Sequence, residues 1–218
     1  MPYYIDDKKI TLHDLLKRLQ SSDLVPSRAP LLDNVEEKLT ALGKSGISSL
    51  ADLRAELKTE KLMRDLATRT GLEVDYLILL RREVESYFPK PIPLTDFNWL
   101  PSEVPSILQS KGIKNAASFF EKVTNPETKT ELIEAGIDPA SLNELLKYTD
   151  LTRVQWVSPI TARILMLAGY GSAVELAAAN PEELCERFAR VNNEHQYFQG
   201  KVGLRDMKRL VYAASFVS

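Results

Sequence analysis

Apolar residues recur every three to four positions along most of the chain, the spacing that places them on one face of an α-helix. In the C-terminal part this stripe runs through Ile160, Ile164, Leu165, Leu167, Leu176, Leu184 and Phe188. The alternating pattern of a half-buried strand is nearly absent, and only "PYYID" at the start is compatible with a short extended segment. The pattern predicts an all-α protein.

Several polar residues stand where the first turn of a helix needs a side-chain acceptor. They are Thr11 with Asp14 at capping-box spacing, Asn34 before two glutamates, Ser158 before Pro159, and Asn180 before Pro181. Each of these N-caps predicts a helix that begins at the next residue.

An internal repeat appears when "FNWLPSEVPSILQSKGIKNAASF" is compared with "VQWVSPITARILMLAGYGSAVEL". In both segments a tryptophan precedes a glycine by thirteen residues, Trp99 before Gly112 and Trp156 before Gly169. A weaker third copy, "DNVEEKLTALGKSGISSLADL", has its glycine at Gly46. The three glycines fall where a helix ends and a left-handed residue is favoured. We expect the two tryptophans to be core anchors, since large aromatic side chains stabilise most when buried.

The repeat predicts about three tandem units, each a helix, a glycine turn and further helices, behind one N-terminal helix. The predicted boundaries are an N-terminal segment at 1–28 and three units at 29–90, 91–150 and 151–218. The proline-rich stretch "FPKPIPL", residues 88–94, is the best linker candidate between the two halves of the chain.

Composition narrows the class of protein. Of 218 residues, 44% are hydrophobic and 27% charged, which is typical of a soluble globular protein, and the net charge is −2 rather than basic. The one cysteine, Cys185, excludes an internal disulfide. We find no secretion signal, membrane span or cofactor motif, so we expect a cytoplasmic protein without a cofactor, a metal or a membrane partner.

Three stretches carry a family resemblance: "TDLTRVQWVSPITARILMLAGYGSAVELAAANPEEL", "VNNEH" and "MKRLVYAA". With them, the block from about Leu132 to Ala214 resembles the bacterial family called domain of unknown function 4332, a helix-hairpin-helix-like family. The resemblance implies tandem helix-hairpin-helix-like units and no particular activity. Where such relatives commonly carry Gly-x-Gly in the hairpin, this chain carries Trp156-Val157-Ser158.

The substitutions in the hairpins weaken the usual role of this motif, which is to hold a phosphate on backbone N–H groups. Side chains block the close approach of a phosphate, and proline lacks the donor. The third hairpin has Trp156 and Pro159, the second has Pro101 and an acid, and the first has two glutamates. All three are predicted to be poor phosphate clamps.

One basic stretch remains a candidate for weak nucleic-acid binding. "FQGKVGLRDMKRL" offers a Gly-x-x-Gly turn and nearby cations, namely Gly200, Lys201, Gly203, Arg205, Lys208 and Arg209. The alternative is that Gly203 is only a turn glycine like Gly71 and Gly136, and that the cations form a solvated face. Residues 151–218 hold eight Lys or Arg and six Asp or Glu, so this region is mildly basic.

Candidate catalytic groups are few. His13 and His195 are far apart in the sequence, His195 falls in a predicted polar loop, and no motif pairs it with Cys185. Glu194, beside two asparagines, is the most plausible single functional carboxylate. We therefore rank three hypotheses. The first is a non-catalytic scaffold or protein-interaction module with an exposed apolar or aromatic patch, binding a protein partner or itself. The second is weak, sequence-independent binding of nucleic-acid backbone, and the last is an enzyme.

Overall fold

The all-α prediction is confirmed. A computed structural model describes residues 2–217, and in this range the regular structure is helical apart from two isolated β-bridges, Thr11 with Ser49 and Pro93 with Asn115. The candidate extended segment, residues 2–6, forms no strand. None of the helices in this range is long and apolar enough to cross a membrane.

The chain divides into two compact units, Asp6–Phe88 (the N-terminal unit) and Met1–Ile5 with Pro89–Ser218 (the C-terminal unit). The division at Phe88 and Pro89 falls in the proline-rich stretch. The N-terminal unit contains α1 (Leu12–Ser21), a 3-10 helix (Pro26–Leu32), α2 (Val35–Lys44), α3 (Leu50–Glu56), α4 (Glu60–Thr70) and α5 (Val74–Ser86).

The C-terminal unit begins with a short 3-10 helix at Leu94–Asp96. Its α-helices are α6 (Glu103–Ser110), α7 (Ala116–Val123), α8 (Pro126–Glu134), α9 (Pro139–Leu151), α10 (Pro159–Leu167), α11 (Ala173–Ala177), α12 (Pro181–His195) and α13 (Leu204–Ala214). Buried apolar residues from all eight helices and from the loops between them form one cluster, so the unit has a shared core.

A left-handed glycine turn followed three residues later by the N-cap of the next helix is found at Gly46, Gly112 and Gly169, whose φ angles are +98°, +73° and +95°. In each, the residue after the glycine donates its N–H to a carbonyl five residues earlier: Ile47 to Leu42 (3.4 Å), Ile113 to Leu108 (2.9 Å) and Tyr170 to Leu165 (2.9 Å). This is the Schellman bond of a helix C-terminus. Three residues beyond the glycines, Ser49, Asn115 and Ser172 cap the next helix.

The recurring turn agrees with the backbone conformation that the glycine spacing predicts. The grouping of these turns into one tandem repeat stays a prediction, as do the segment boundaries at 1–28, 29–90, 91–150 and 151–218.

Three of the four predicted N-caps are confirmed. Thr11 and Asp14 form a capping box, and the side chains of Ser158 and Asn180 accept the N–H of Thr161 and Glu183. The fourth prediction is wrong for the side chain of Asn34, which makes no capping bond. The reason is that Asn34 itself has left-handed backbone angles, φ +50° and ψ +37°, rather than the extended geometry of a cap.

An ion pair made by a buried arginine joins several segments of the C-terminal unit. Arg153, which is 4% exposed, lies 2.7 Å from Asp150. The second oxygen of Asp150 accepts the N–H of Ala173 at 2.7 Å, at the start of α11. Arg153 also donates to the carbonyl of Val217, and its guanidinium carbon lies 4.6 Å from the ring centre of Phe120 on α7. The end of α9 is thereby fixed to α7, to α11 and to the C-terminal end of the chain.

The N-terminal residues of the chain join the same region. Tyr3 is fully buried, and its hydroxyl lies 3.2 Å from the hydroxyl of Thr152, next to Arg153. The Tyr3 ring packs edge-on against Phe120 at 5.9 Å. Burial raises the pKa of Tyr3 to about 12, and this outweighs the hydrogen bond with Thr152, which lowers it. The phenol therefore keeps its proton in the folded state to higher pH than in the unfolded chain.

The glycine turn generates a prediction that uses two neighbouring glycines of the N-terminal unit. Gly46→Ala should lower the free energy of unfolding by about 1 kcal/mol, because a Cβ is strained at a left-handed φ. Nothing lies within 4 Å of the added Cβ, so the loss of stability comes from backbone strain and not from a steric clash. Gly43, inside α2, is the matched control. Gly43→Ala should stabilise by roughly 0.5 to 1 kcal/mol, as in an ordinary helix interior. Urea unfolding followed by circular dichroism measures the free energy of unfolding of both variants. If both variants are stabilised, or both destabilised, the left-handed conformation of Gly46 is contradicted.

The buried phenol predicts a loss of stability at alkaline pH. Between about pH 10 and 12 the unfolded chain releases the Tyr3 proton while the folded chain keeps it, so stability falls as the pH rises. In Tyr3→Phe the part of this alkaline loss that comes from Tyr3, about 2 kcal/mol of the free energy of unfolding, should disappear. The variant should also be less stable at neutral pH by about 1 kcal/mol, because it lacks the hydrogen bond with Thr152.

Thr152→Val serves as the control for that experiment, because it removes the same hydrogen bond and leaves the phenol in place. Its stability should still fall over the alkaline window. Urea titrations at a series of pH values, read by tryptophan fluorescence, report on the C-terminal unit, since Trp99 and Trp156 both lie there. An alkaline decline that Tyr3→Phe leaves unchanged would rule out Tyr3 as its source.

Candidate interaction surface

The hairpin between α9 and α10 is a tight turn with an inner and an outer side. The N–H of Val154 bonds to the Leu151 carbonyl at 3.0 Å, and that of Val157 to the Val154 carbonyl at 3.1 Å. The side chains of Val154 and Val157 are buried and fill the inner side. Trp156, between them, has a φ of +70° and is 50% exposed. Its indole therefore stands on the outer side of the hairpin.

The expectation of a buried anchor is wrong for Trp156. The left-handed backbone turns its side chain away from the core, and the two valines occupy the inward positions. Trp99, its partner in the sequence repeat, does pack against the core: its ring lies 5.8 Å from Phe97 and 5.1 Å from Tyr148. The same residue type at the same repeat position thus has two different environments.

The hairpin has lost donors that a phosphate would use. Pro159, the first residue of α10, has no N–H, and the N–H of Thr161 bonds to the Ser158 hydroxyl at 3.1 Å. The side chain of Trp156 occupies the position where glycine would permit a close approach. This geometry agrees with the prediction of a poor phosphate clamp at the third hairpin.

Arg209 on α13 lies over the ring of the exposed tryptophan. Its guanidinium carbon lies 4.5 Å from the centre of the Trp156 ring, within the range of a cation–π interaction. Arg209 is half-buried, so the aliphatic part of its side chain and the indole shield each other. The pair joins the hairpin to α13 and forms the centre of what we call the Trp156 surface: Trp156, Arg209, and the other exposed cations of α13, Arg205 and Lys208.

The two glycines of the basic stretch have structural roles. A Cβ on Gly200 would lie 2.5 Å from the ring of Phe198, so the close packing of that ring favours glycine there. The N–H of Gly203 donates to the Asp206 carboxylate at 2.9 Å, at the start of α13. The carboxylate already occupies the donor that a phosphate would need. Gly203 has a φ of −117°, unlike the left-handed Gly71 and Gly136, so it is not their conformational equivalent.

The candidate cations extend towards different neighbours. Lys208 lies 3.4 Å from Glu182 at the start of α12, whereas Arg209 lies over Trp156 on the hairpin. Lys201 and Arg205 are exposed, Lys201 in the loop before α13 and Arg205 in its first turn. The arrangement is a set of cations spread along one helix rather than a single phosphate pocket.

The candidate catalytic residues do not assemble. His195 is the last residue of α12, which corrects the predicted loop, and Cys185 lies ten positions earlier on the same helix. At the rise of an α-helix this separates their backbones by about 15 Å, too far for a nucleophile and its base. His195 stacks on Tyr197 at 5.0 Å, and the nearest oxygen of Glu194 lies 4.0 Å from its Nε2. His13 is exposed on α1.

A stack that the sequence did not predict holds the segment after α12. The guanidinium carbon of Arg163 on α10 lies 4.8 Å from the ring centre of Trp99 and 4.4 Å from that of Tyr197. His195 covers Tyr197 with its ring nearly parallel. These contacts stabilise the loop that leads to α13. Within residues 2–217, no group of three or more His, Cys, Asp or Glu is placed to hold a metal ion.

Residues 102–216 match a protein family described as domain of unknown function (DUF4332). The match covers more than half of the chain and includes the hairpin, α13 and every member of the Trp156 surface. The chain belongs to the DUF4332 family. No curated protein and no solved structure matches it. The Trp156 surface therefore lies inside the DUF4332 domain.

The left-handed backbone at Trp156 predicts an unusual order of stabilities. Trp156→Gly should be more stable than Trp156→Ala by about 1 kcal/mol, because glycine alone adopts this backbone without strain. Relative to the natural chain, Trp156→Gly should change the free energy of unfolding by less than about 1 kcal/mol, since relief of strain offsets the lost contact with Arg209.

Trp99 provides the comparison, because its indole packs against the core. Trp99→Ala should cost roughly 3 kcal/mol, as is usual for truncation of a packed aromatic side chain. Urea unfolding followed by circular dichroism measures all three variants. An alanine at position 156 that is as stable as glycine would show that the residue is not left-handed in solution.

Proposed function

We propose that the chain is a non-catalytic interaction module that binds a protein partner through the Trp156 surface. One observation carries the proposal: a tryptophan that is half exposed stands on a left-handed backbone where glycine would be unstrained. Holding a non-glycine residue in this conformation costs about 1 to 2 kcal/mol. The contact with Arg209 offsets this cost, but half of the side chain remains in water.

A protein partner accounts for the exposed indole. Tryptophan and arginine are the residue types most enriched among the few side chains that carry the energy of protein–protein binding. In the Trp156 surface the two are in contact, at 4.5 Å. A partner that covers the exposed part of Trp156 would bury apolar surface that is in contact with water in the isolated chain, and this burial favours binding.

The supporting structure favours a surface that needs little rearrangement on binding. Asp150, Arg153 and Thr152 fix the start of the hairpin through buried polar contacts, and Ser158 caps the helix that follows it. A binding side chain held in one backbone conformation loses less entropy when a partner arrives. The arrangement thus combines a rigid base with an exposed aromatic residue.

Binding of nucleic-acid backbone is the weaker alternative. The contact of Arg209 with an exposed Trp156 favours it, because indole rings stack on bases and arginine attracts phosphate. The engaged N–H of Gly203, the proline at the start of α10 and the net charge of −2 weigh against it. A protein partner therefore remains the proposed class.

The proposal predicts a protein contact that depends on Trp156. The immobilised natural chain should retain a partner from an extract of its source cells, and Trp156→Gly should lose it. Val174→Ala is the matched control, because Val174 on α11 is another exposed apolar residue, 59% exposed. The retained protein is then purified and its affinity measured with the pure components, where Trp156→Gly should weaken binding about tenfold or more.

Sedimentation of the natural chain and of Trp156→Gly covers the case in which the partner is a second copy. A shift from dimer to monomer in the variant would identify self-association through this surface. If neither the retained proteins nor the sedimentation depend on Trp156, the proposed function is wrong.

A further inference from the structure

The cations of the Trp156 surface lie on one side of α13. Arg205 and Arg209 are four residues apart and share a helix face, and Lys208 is adjacent to it. Arg209 brings this charge into direct contact with Trp156. A ligand on this surface can therefore make one apolar contact with the ring and several electrostatic contacts with the cations.

Two acids near this row, Asp206 and Glu182, are each engaged in the fold. Asp206 accepts the N–H of Gly203 and stabilises the start of α13, where a carboxylate also interacts favourably with the helix dipole. Glu182 pairs with Lys208, but both side chains are more than half exposed. Exposed pairs of this kind contribute little to stability, so a carboxylate of a partner can replace Glu182.

The charge is also unevenly distributed along the chain. Residues 151–218 carry eight Lys or Arg and six Asp or Glu, whereas residues 91–150 carry five and nine. An acidic ligand is therefore attracted to the region of α13 and repelled by the acidic stretch before it. Complementary charge of this sort selects both the partner and its place of contact.

Carboxylates fit this surface better than the phosphates of a nucleic acid. A nucleic acid gains its affinity from many phosphate contacts made at once, and the described cations extend to different neighbours rather than along a groove. A short acidic segment needs only two or three cations and one apolar contact. Arginine side chains bind carboxylates with two parallel hydrogen bonds.

We infer that the Trp156 surface binds an acidic segment of a partner protein, with an aromatic or large apolar side chain on the Trp156 indole and carboxylates on Arg205 and Arg209. This inference rests on the proposed function and specifies the chemistry of the partner. Lys208, released from Glu182, supplies a third cation.

The test uses the full chain and labelled synthetic peptides. The main probe is a fluorescein-labelled peptide, Glu-Asp-Glu-Phe-Asp-Glu-Glu, measured by fluorescence anisotropy at low and at physiological salt. The comparison probes are the same peptide with alanine for phenylalanine, the same peptide with lysine at every acidic position, and an oligothymidylate. The acidic phenylalanine peptide should bind most tightly, with an affinity that falls as salt is added.

Protein variants separate the two parts of the contact. Trp156→Gly should weaken binding of the acidic phenylalanine peptide about tenfold. The double variant Arg205→Gln with Arg209→Gln should weaken it by a similar factor and reduce the salt dependence. The matched control is Lys111→Gln with Lys114→Gln, two exposed cations beside the Gly112 turn, which changes the net charge equally and should leave the affinity unchanged.

The outcomes distinguish this inference from the proposed function. If the acidic peptide fails to bind, or binds equally well to the Arg205 and Arg209 double variant, the acidic chemistry is wrong. A retained protein that still depends on Trp156 would then leave the proposed function standing. If the oligothymidylate binds more tightly than the peptide and loses affinity with Trp156→Gly, the surface binds nucleic acid, and both proposals are overturned.

Discussion

The ion pair between the buried Arg153 and the part-buried Asp150 is the interaction on which the C-terminal unit depends. Removing charges from water is costly unless further polar groups compensate them. Here the N–H of Ala173 bonds to Asp150, the carbonyl of Val217 accepts from Arg153, and Phe120 covers the guanidinium. Because removing any one of these groups leaves a charge unsatisfied, segments that are distant in sequence hold one another in place.

The Arg153–Asp150 ion pair fixes the start of the hairpin. Because the hairpin is held from this side, its outer side can differ from that of a phosphate clamp. The inner side needs only two valines, and the turn keeps its left-handed residue at position 156. The outer side is then free to carry tryptophan, proline and serine, which remove the approach and the donors that a phosphate needs. The hairpin in the DUF4332 domain of this chain thus combines a fixed inner side with an outer side that does not suit a phosphate.

The sequence predicts local geometry well and long-range environment poorly. Glycine spacing identifies the three turns, and three of the four predicted caps are confirmed, because both features are satisfied by neighbours within a few residues. The exposure of Trp156 could not be predicted, because repeat spacing aligns it with the packed Trp99 and says nothing about φ. Arg153 looks like a surface charge in the sequence, since its partners at Phe120, Ala173 and Val217 are brought together only by folding.

The expected strength of the interaction follows from the size of the surface. One tryptophan that becomes fully covered contributes about 2 to 4 kcal/mol, and two or three exposed ion pairs add less than about 1 kcal/mol each. Part of this sum is lost in fixing the partner, so a single such contact corresponds to a dissociation constant of micromolar order or weaker. A module of this kind suits a contact that forms and dissociates readily, and tight binding would require a second surface on the same partner or several copies acting together.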